Sequence, residues 1–203
     1  MGVWNHPLLD LLPINAMSAI SVYKSPQPQI NGNNFASIDL TTKTASENGI
    51  HGDTRMSAGS FGTFTEQAAL YGKQDAWDFM LAEGYAKSNG HRSNADGELK
   101  NALGKVGFQI DDHWRAEASF MYVDSYARDP NPNNQYNTVQ YSGHYGQYQG
   151  IPKYTTEAGM ITASLSHHYE NLSGEVKVYA NRGEGVWYNS PNYGPATMYN
   201  KFD

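Results

Sequence analysis

The chain has 203 residues, with 14 Lys and Arg against 20 Asp and Glu for a formal net charge of −6, and no cysteine. No basic block exists to hold a nucleic-acid backbone, no disulfide or thiolate metal site is possible, and no run approaches the roughly 18–20 apolar residues of a membrane helix. A hydrophobic share of 39% makes a thin two-sided core. It suits a β-barrel better, because each barrel strand needs one apolar face, and a mean hydropathy of −0.65 is no objection there.

The opening residues, Met1 to Pro7, lack the basic and apolar regions of a secretory signal peptide. Leu8 to Ile20 reads as a short helical or coiled segment broken at Pro13, with Asn15 as its N-cap. Ala19 to Tyr23 is a short strand, Lys24 to Asn34 is turn-rich, and Phe35 to Lys43 returns to a strand. Ala45 to Gly49 reads as a polar linker. From Ile50 onward, alternation predicts seven strands near 50–60, 63–72, 76–88, 99–110, 114–127, 155–169 and 174–188. At about 10–14 residues they are longer than the roughly 5–6 usual in soluble proteins.

Two of these strands share an arrangement. Trp77-Asp-Phe-Met-Leu-Ala-Glu-Gly-Tyr85 and Trp114-Arg-Ala-Glu-Ala-Ser-Phe-Met-Tyr122 each place a Trp just after a polar turn and a Tyr eight residues later. Even spacing puts both rings on one face of a strand. The separation, about 26 Å along the strand, matches the apolar band of a transmembrane barrel edged by aromatic girdles. Trp77, Tyr85, Trp114 and Tyr122 are therefore expected at the membrane interfaces, with Glu83 on the same face near the outer one. Connections alternate in length. Gly72–Ala76, Asp111–His113 and Glu170–Gly174 are tight, while Ser88–Leu99 and Arg128–Tyr154 are long, as in barrels whose long loops lie outside the cell. By parity the short hairpin Gly59-Ser-Phe-Gly62 falls on that outer side.

The block Ser21-Val-Tyr-Lys-Ser-Pro-Gln-Pro-Gln-Ile-Asn-Gly-Asn-Asn-Phe-Ala-Ser-Ile-Asp-Leu-Thr-Thr-Lys43 resembles the end of the plug domain of TonB-dependent outer-membrane receptors. That family shows an Arg-Gly-Pro, a Leu-Tyr-Gly and a glycine-rich strand ending in Thr-Lys. Here Lys24-Ser25-Pro26, Ile30-Asn31-Gly32 and Ala36 to Leu40 stand in their places; Pro26, Gly32 and Thr42-Lys43 match closely. Gly59-Ser-Phe-Gly-Thr63 is similar to the family's first barrel hairpin, and Tyr85 to Arg92 to the end of its third strand.

The resemblance implies an all-β chain: residues 1–47 as the C-terminal part of a plug, and 48–203 as the N-terminal part of an antiparallel transmembrane β-barrel, about seven long strands of roughly 22. A whole receptor needs on the order of 600–700 residues, so the chain reads as a piece of one in a Gram-negative outer membrane. Uptake of a siderophore, metal chelate or cobalamin-like ligand is the implied function. The implied partners are outer-membrane lipid and an energy-coupling TonB-type protein, reached through a segment not in the sequence. The reading from another class is a small self-contained barrel or sandwich serving as an adhesin or binding module.

Individual residues sharpen this only in part. His91, Arg92 and His144 fall in the expected outer loops, and Arg92 either attracts an anionic chelate or pairs with Asp96. Tyr141, Tyr145 and Tyr148, in the Gly- and Gln-rich stretch 140–150, offer rings for stacking, as do Tyr188, Tyr193 and Tyr199 in another loop rich in Asn, Gly and Pro. His167 and His168 are adjacent and face opposite sides of a strand, so they cannot chelate together. No nucleophile or metalloprotease motif appears. Neither catalysis, a resident metal nor a cofactor is expected, and no nucleic acid.

Overall fold

The computed structural model describes residues 12–26, 35–128, 153–188 and, as backbone, 198–202. A 3-10 turn, Ile14–Ala16, leads into β1 (Met17–Tyr23), which pairs antiparallel with β2 (Ser37–Thr42). Eight further strands follow: β3 (Gly49–Gly59), β4 (Thr63–Gln74), β5 (Trp77–Ser88), β6 (Gly97–Gln109), β7 (Trp114–Arg128), β8 (Lys153–Tyr169), β9 (Leu172–Tyr188) and β10 (Met198–Phe202). They form one antiparallel meander in the order β10-β9-β8-β7-β6-β5-β4-β3. The chain is all-β, and the meander does not close into a barrel among the described residues.

Seven of the eight strands lie where alternation puts them, with ends shifted by at most two residues. The eighth, β10, falls in a stretch expected to be an Asn/Gly/Pro-rich loop, so the sheet has eight strands rather than seven. The helical reading of Leu8 to Ile20 fails over the described residues. Pro13 precedes a single 3-10 turn, Asn15 sits inside that turn instead of capping it, and residues 17–20 are already strand. The run Ser18 to Val22, with Ser18, Ile20, Ser21 and Val22, favours extended backbone, where β-branched side chains lose least freedom.

Residues 45–48 are not a loose linker. Ala45 is buried, the Ser46 carbonyl accepts from Lys73 Nζ at 3.4 Å, and Asn48 Oδ1 accepts from the Asp75 amide at 2.8 Å. The strap runs against the β4–β5 turn. Asp75 there has φ 54°, the left-handed conformation that Asp and Asn tolerate in two-residue hairpins.

The register assigns every side chain to one of two faces. One face is covered by the N-terminal segment: Ala16 is fully buried in a cluster with Ala69, Met80, Ala82 and Leu103, and Met17 and Tyr71 pack against it. The opposite face is open. In β5, Asp78, Met80, Ala82 and Gly84 are buried, while Trp77, Phe79, Leu81 and Glu83 are exposed. That alternation is the one expected of a strand with a single covered side.

The connections differ at the two ends of the sheet. At one end they are two residues (Asp75-Ala76), the Ile110–His113 turn, and two residues again (Glu170-Asn171). At the other they are Ser60–Gly62, residues 89–96, 129–152 and 189–197. The Ile110–His113 turn is held by Asp111, whose Oδ1 accepts from the His113 and Trp114 amides, both at 2.8 Å. These bonds hold the Asp111 carboxyl below its ordinary value of 3.8. Since the folded state favours the ionised form, the contribution to stability is complete above the ordinary aspartate range and disappears as pH falls through the lowered value. Accordingly, hydrogen exchange at the His113 and Trp114 amides should stay slow from neutral pH down past the ordinary aspartate range. Asp111→Ala should speed it throughout.

Candidate functional site

The open face carries an extensive apolar surface. Reading directly across β5, β6, β7, β8 and β9, one row is Trp77, Phe108, Ala116, Leu165 and Val176; the next is Phe79, Val106, Ala118, Ala163 and Val178. A third is Leu81, Gly104, Phe120, Ile161 and Ala180. Above it, Glu83, Ala102, Tyr122, Gly159 and Arg182 form a mixed row, and Tyr85, Lys100, Asp124, Glu157 and Glu184 a charged one. Below Trp77's row lie Trp114 and His167, with ring centroids 4.9 Å apart, and Tyr169, whose hydroxyl accepts from Trp114 Nε1 at 3.1 Å.

Three unbroken apolar rows are thus bounded by Trp114, His167 and Tyr169 at one end and by a mixed and then a charged row at the other. Trp77 is 56% exposed and Tyr122 42%, with Tyr85 and Trp114 half-buried on the same face. The even spacing of Trp and Tyr holds as geometry, and Glu83 shares their face. An exposed apolar patch of this extent marks an interaction surface.

The covered face is polar and ordered by ion pairs. Arg115 forms a bidentate pair with Asp78, at 2.6 and 3.0 Å, and reaches Glu117 at 3.1 Å. Asp78 is only 4% exposed. Lys105, 8% exposed, donates to Thr42 Oγ1 at 2.8 Å and Thr44 Oγ1 at 2.6 Å. Lys43 pairs with Asp53 at 2.6 Å, and His51 stacks on Tyr71. Residues 42–44 are therefore fastened to β3 and β6 by charged groups. Further along, Glu175 and Lys177 pair at 3.3 Å, as their i,i+2 spacing on this face predicts.

The expected loop residues are only partly brought together. His91 is exposed, with its ring edge-on to Phe61 of the β3–β4 turn at 6.5 Å, and Arg92 lies half-buried beside it. Asp96 accepts from Arg128 at 3.3 Å and from the Tyr126 hydroxyl at 3.4 Å. Tyr141, His144, Tyr145, Tyr148 and Tyr193 lie outside the described residues, as does Gly32; Lys24 and Pro26 are exposed beyond β1. His167 and His168 face opposite sides, and among the described residues no group of acidic or imidazole side chains has the geometry of a metal site.

Lys105, Asp78, Tyr154 and Trp187 were not evident as site residues from sequence. Lys105 did carry a signal: it sits on the inward positions of a strand whose other face is Ala102, Gly104 and Val106. No protein-family model matches the chain, and no curated protein matches it.

The buried acid on the covered face gives a stability test. Arg115→Ala leaves Asp78 desolvated without its guanidinium. Because Arg115 is about a quarter exposed, the cost should be about 2–3 kcal/mol, below that of a fully buried pair. Denaturant unfolding of the refolded protein measures it, and Arg115→Ala with Asp78→Ala together should recover much of the loss.

Proposed function

We propose that the chain forms part of the wall and the end of the plug of a TonB-dependent outer-membrane receptor, which takes up a scarce nutrient. Residues 1–47 act as the C-terminal part of the plug and 48–203 as the N-terminal part of the barrel. The observation that carries this reading is the open face, where apolar rows lie between a Trp and a Tyr eight positions apart on both β5 and β7, about 26 Å along the strand and close to the height of a lipid-facing band. The polar covered face, with residues 13–17 and 42–45 seated on it, suits a lumen holding a plug.

The offset between the two Trp/Tyr pairs supports the same reading. Directly across from Trp77 on β5 stands Ala116 on β7, two residues inside Trp114; across from Tyr85 stands Asp124, two residues beyond Tyr122. If both Trp mark one level, a slip of two residues over two strand spacings inclines the strands by about 35°, within the range of barrels.

Among the described residues β3 and β10 each have a partner on one side only. Open edges are not tolerated in hydrocarbon, so further strands complete the wall. The energised partner and the ligand enter as in the family: ligand at the outer loops, and a TonB-type protein acting through the plug. The eight-strand count favours a second reading, a small closed outer-membrane barrel serving as a binding module, since eight strands suffice for one. Heat-modifiable migration of the isolated chain would favour that alternative.

Lipid contact is directly measurable. In single-Trp variants of the receptor that contains this wall, refolded into vesicles, acyl-chain-brominated lipid should quench Trp77 and Trp114 strongly and Trp187 weakly. Equal quenching of all three would sink the wall reading. Ile161→Arg, in the middle of the band, should lower the refolding free energy by about 2–4 kcal/mol, and Ser164→Arg on the covered face by far less.

A further inference from the structure

At the long-connection end the covered face bears a trough of about 610 Å³, within the range of small-molecule sites. Its floor follows one cross-strand row. Ser88 is opposite Gly97, Gly97 opposite Ala127, Ala127 opposite Tyr154, and Tyr154 opposite Trp187; Thr63 joins Ser88 through a 2.9 Å hydroxyl contact. Six strands contribute, so the row is about 24 Å long.

Three features of that row define a ligand. At the β8–β9 end the Tyr154 and Trp187 rings meet edge to face at 6.2 Å, an aromatic platform with polar tips. In the middle Gly97 and Ala127 leave the floor low. At the β4–β5 end the Thr63 and Ser88 hydroxyls each both donate and accept. The neighbouring row adds Thr65, Ala86, Leu99 and Ser125, so no floor side chain is charged. Of the charged residues that line it, Lys87 and Glu98 have the parity of the opposite face, and Asp96 is held by Arg128 and Tyr126.

Compact anionic chelates need cations, and corrins need a broad apolar bowl; a long, shallow trough with an uncharged floor offers neither. Sugar rings match it, because their C–H faces stack on aromatics while their hydroxyls exchange hydrogen bonds with Ser and Thr. We infer that this trough binds a neutral linear oligosaccharide of roughly three to five rings over its length, as the substrate class of the proposed receptor. The inference rests on the wall reading of the sheet.

The test is calorimetric titration of the membrane-reconstituted receptor that contains this wall with maltohexaose, xylohexaose and chitohexaose, alongside a ferric catecholate and cyanocobalamin. At least one hexasaccharide should bind more tightly than either of the last two. Trp187→Ala should weaken it at least tenfold by removing the platform, and Ala127→Phe should do the same by raising the floor. Lys177→Ala, lower on the same face, should leave binding unchanged, and vesicle insertion of each variant checks its fold. Tighter binding of the chelate or corrin, no oligosaccharide binding, or binding indifferent to both trough variants overturns the inference. Brominated-lipid quenching separates the two levels: with quenching of Trp77 and Trp114 intact, such a result removes the ligand class and leaves the wall, whereas lost quenching removes the wall itself.

Discussion

Everything in this structure depends on one constraint: from β3 to β9 the antiparallel ladder runs without a register shift. In such a ladder the face of each side chain follows from its parity, and a slip of one residue would exchange the faces of a whole strand. An apolar face against a polar one, as here, makes a slip expensive. It would put Asp78, Lys105 and Arg115 on the apolar side and Leu81, Val106 and Phe120 among the ion pairs. Sequence pattern and hydrogen bonding therefore select the same arrangement, which is what gives a fold one low state instead of several.

Within the ladder, small and large residues face each other across strands. A Cβ on Gly104 would run into the Phe120 ring, one on Gly72 would meet Phe79, and one on Gly174 would meet His167. On the other face Gly107 makes room for Arg115 and Gly84 for Asn101. Glycine weakens an isolated strand. Here the large neighbour lies over it and restores the covered surface, as aromatic rings do beside glycines in designed sheets. The abundance of glycine is thus part of how both faces stay dense without a second packed layer.

The strands were legible in the sequence because each alternates over many residues and ends at turn residues such as Asp75, Asp111 and Asn171. Two things were not. The N-terminal segment looked helical because Leu8 to Ile20 is apolar at mixed spacing, and Pro13 resolves the ambiguity only once β1 finds β2 as its partner. The trough was hidden for a different reason. Its six residues are spread from Thr63 to Trp187, and only the sum of five successive registers brings them into line. Local pattern carries strands; cross-strand neighbours require the whole ladder. Lys105 illustrates both, being readable as inward-facing yet silent about Thr42 and Thr44.

The strands lengthen along the meander, from 11 residues in β3 to 17 in β9. In a wall inclined at about 35° the short turns then come to one level, while the far ends climb by about 17 Å from β3 to β9. A row running straight across such strands is itself a ramp. Its Trp187 end stands about 14 Å higher than its Thr63 end. On the proposed reading, a solute descending from outside would touch the rings first and the hydroxyls last, so the unequal lengths of the strands would set its order of contact.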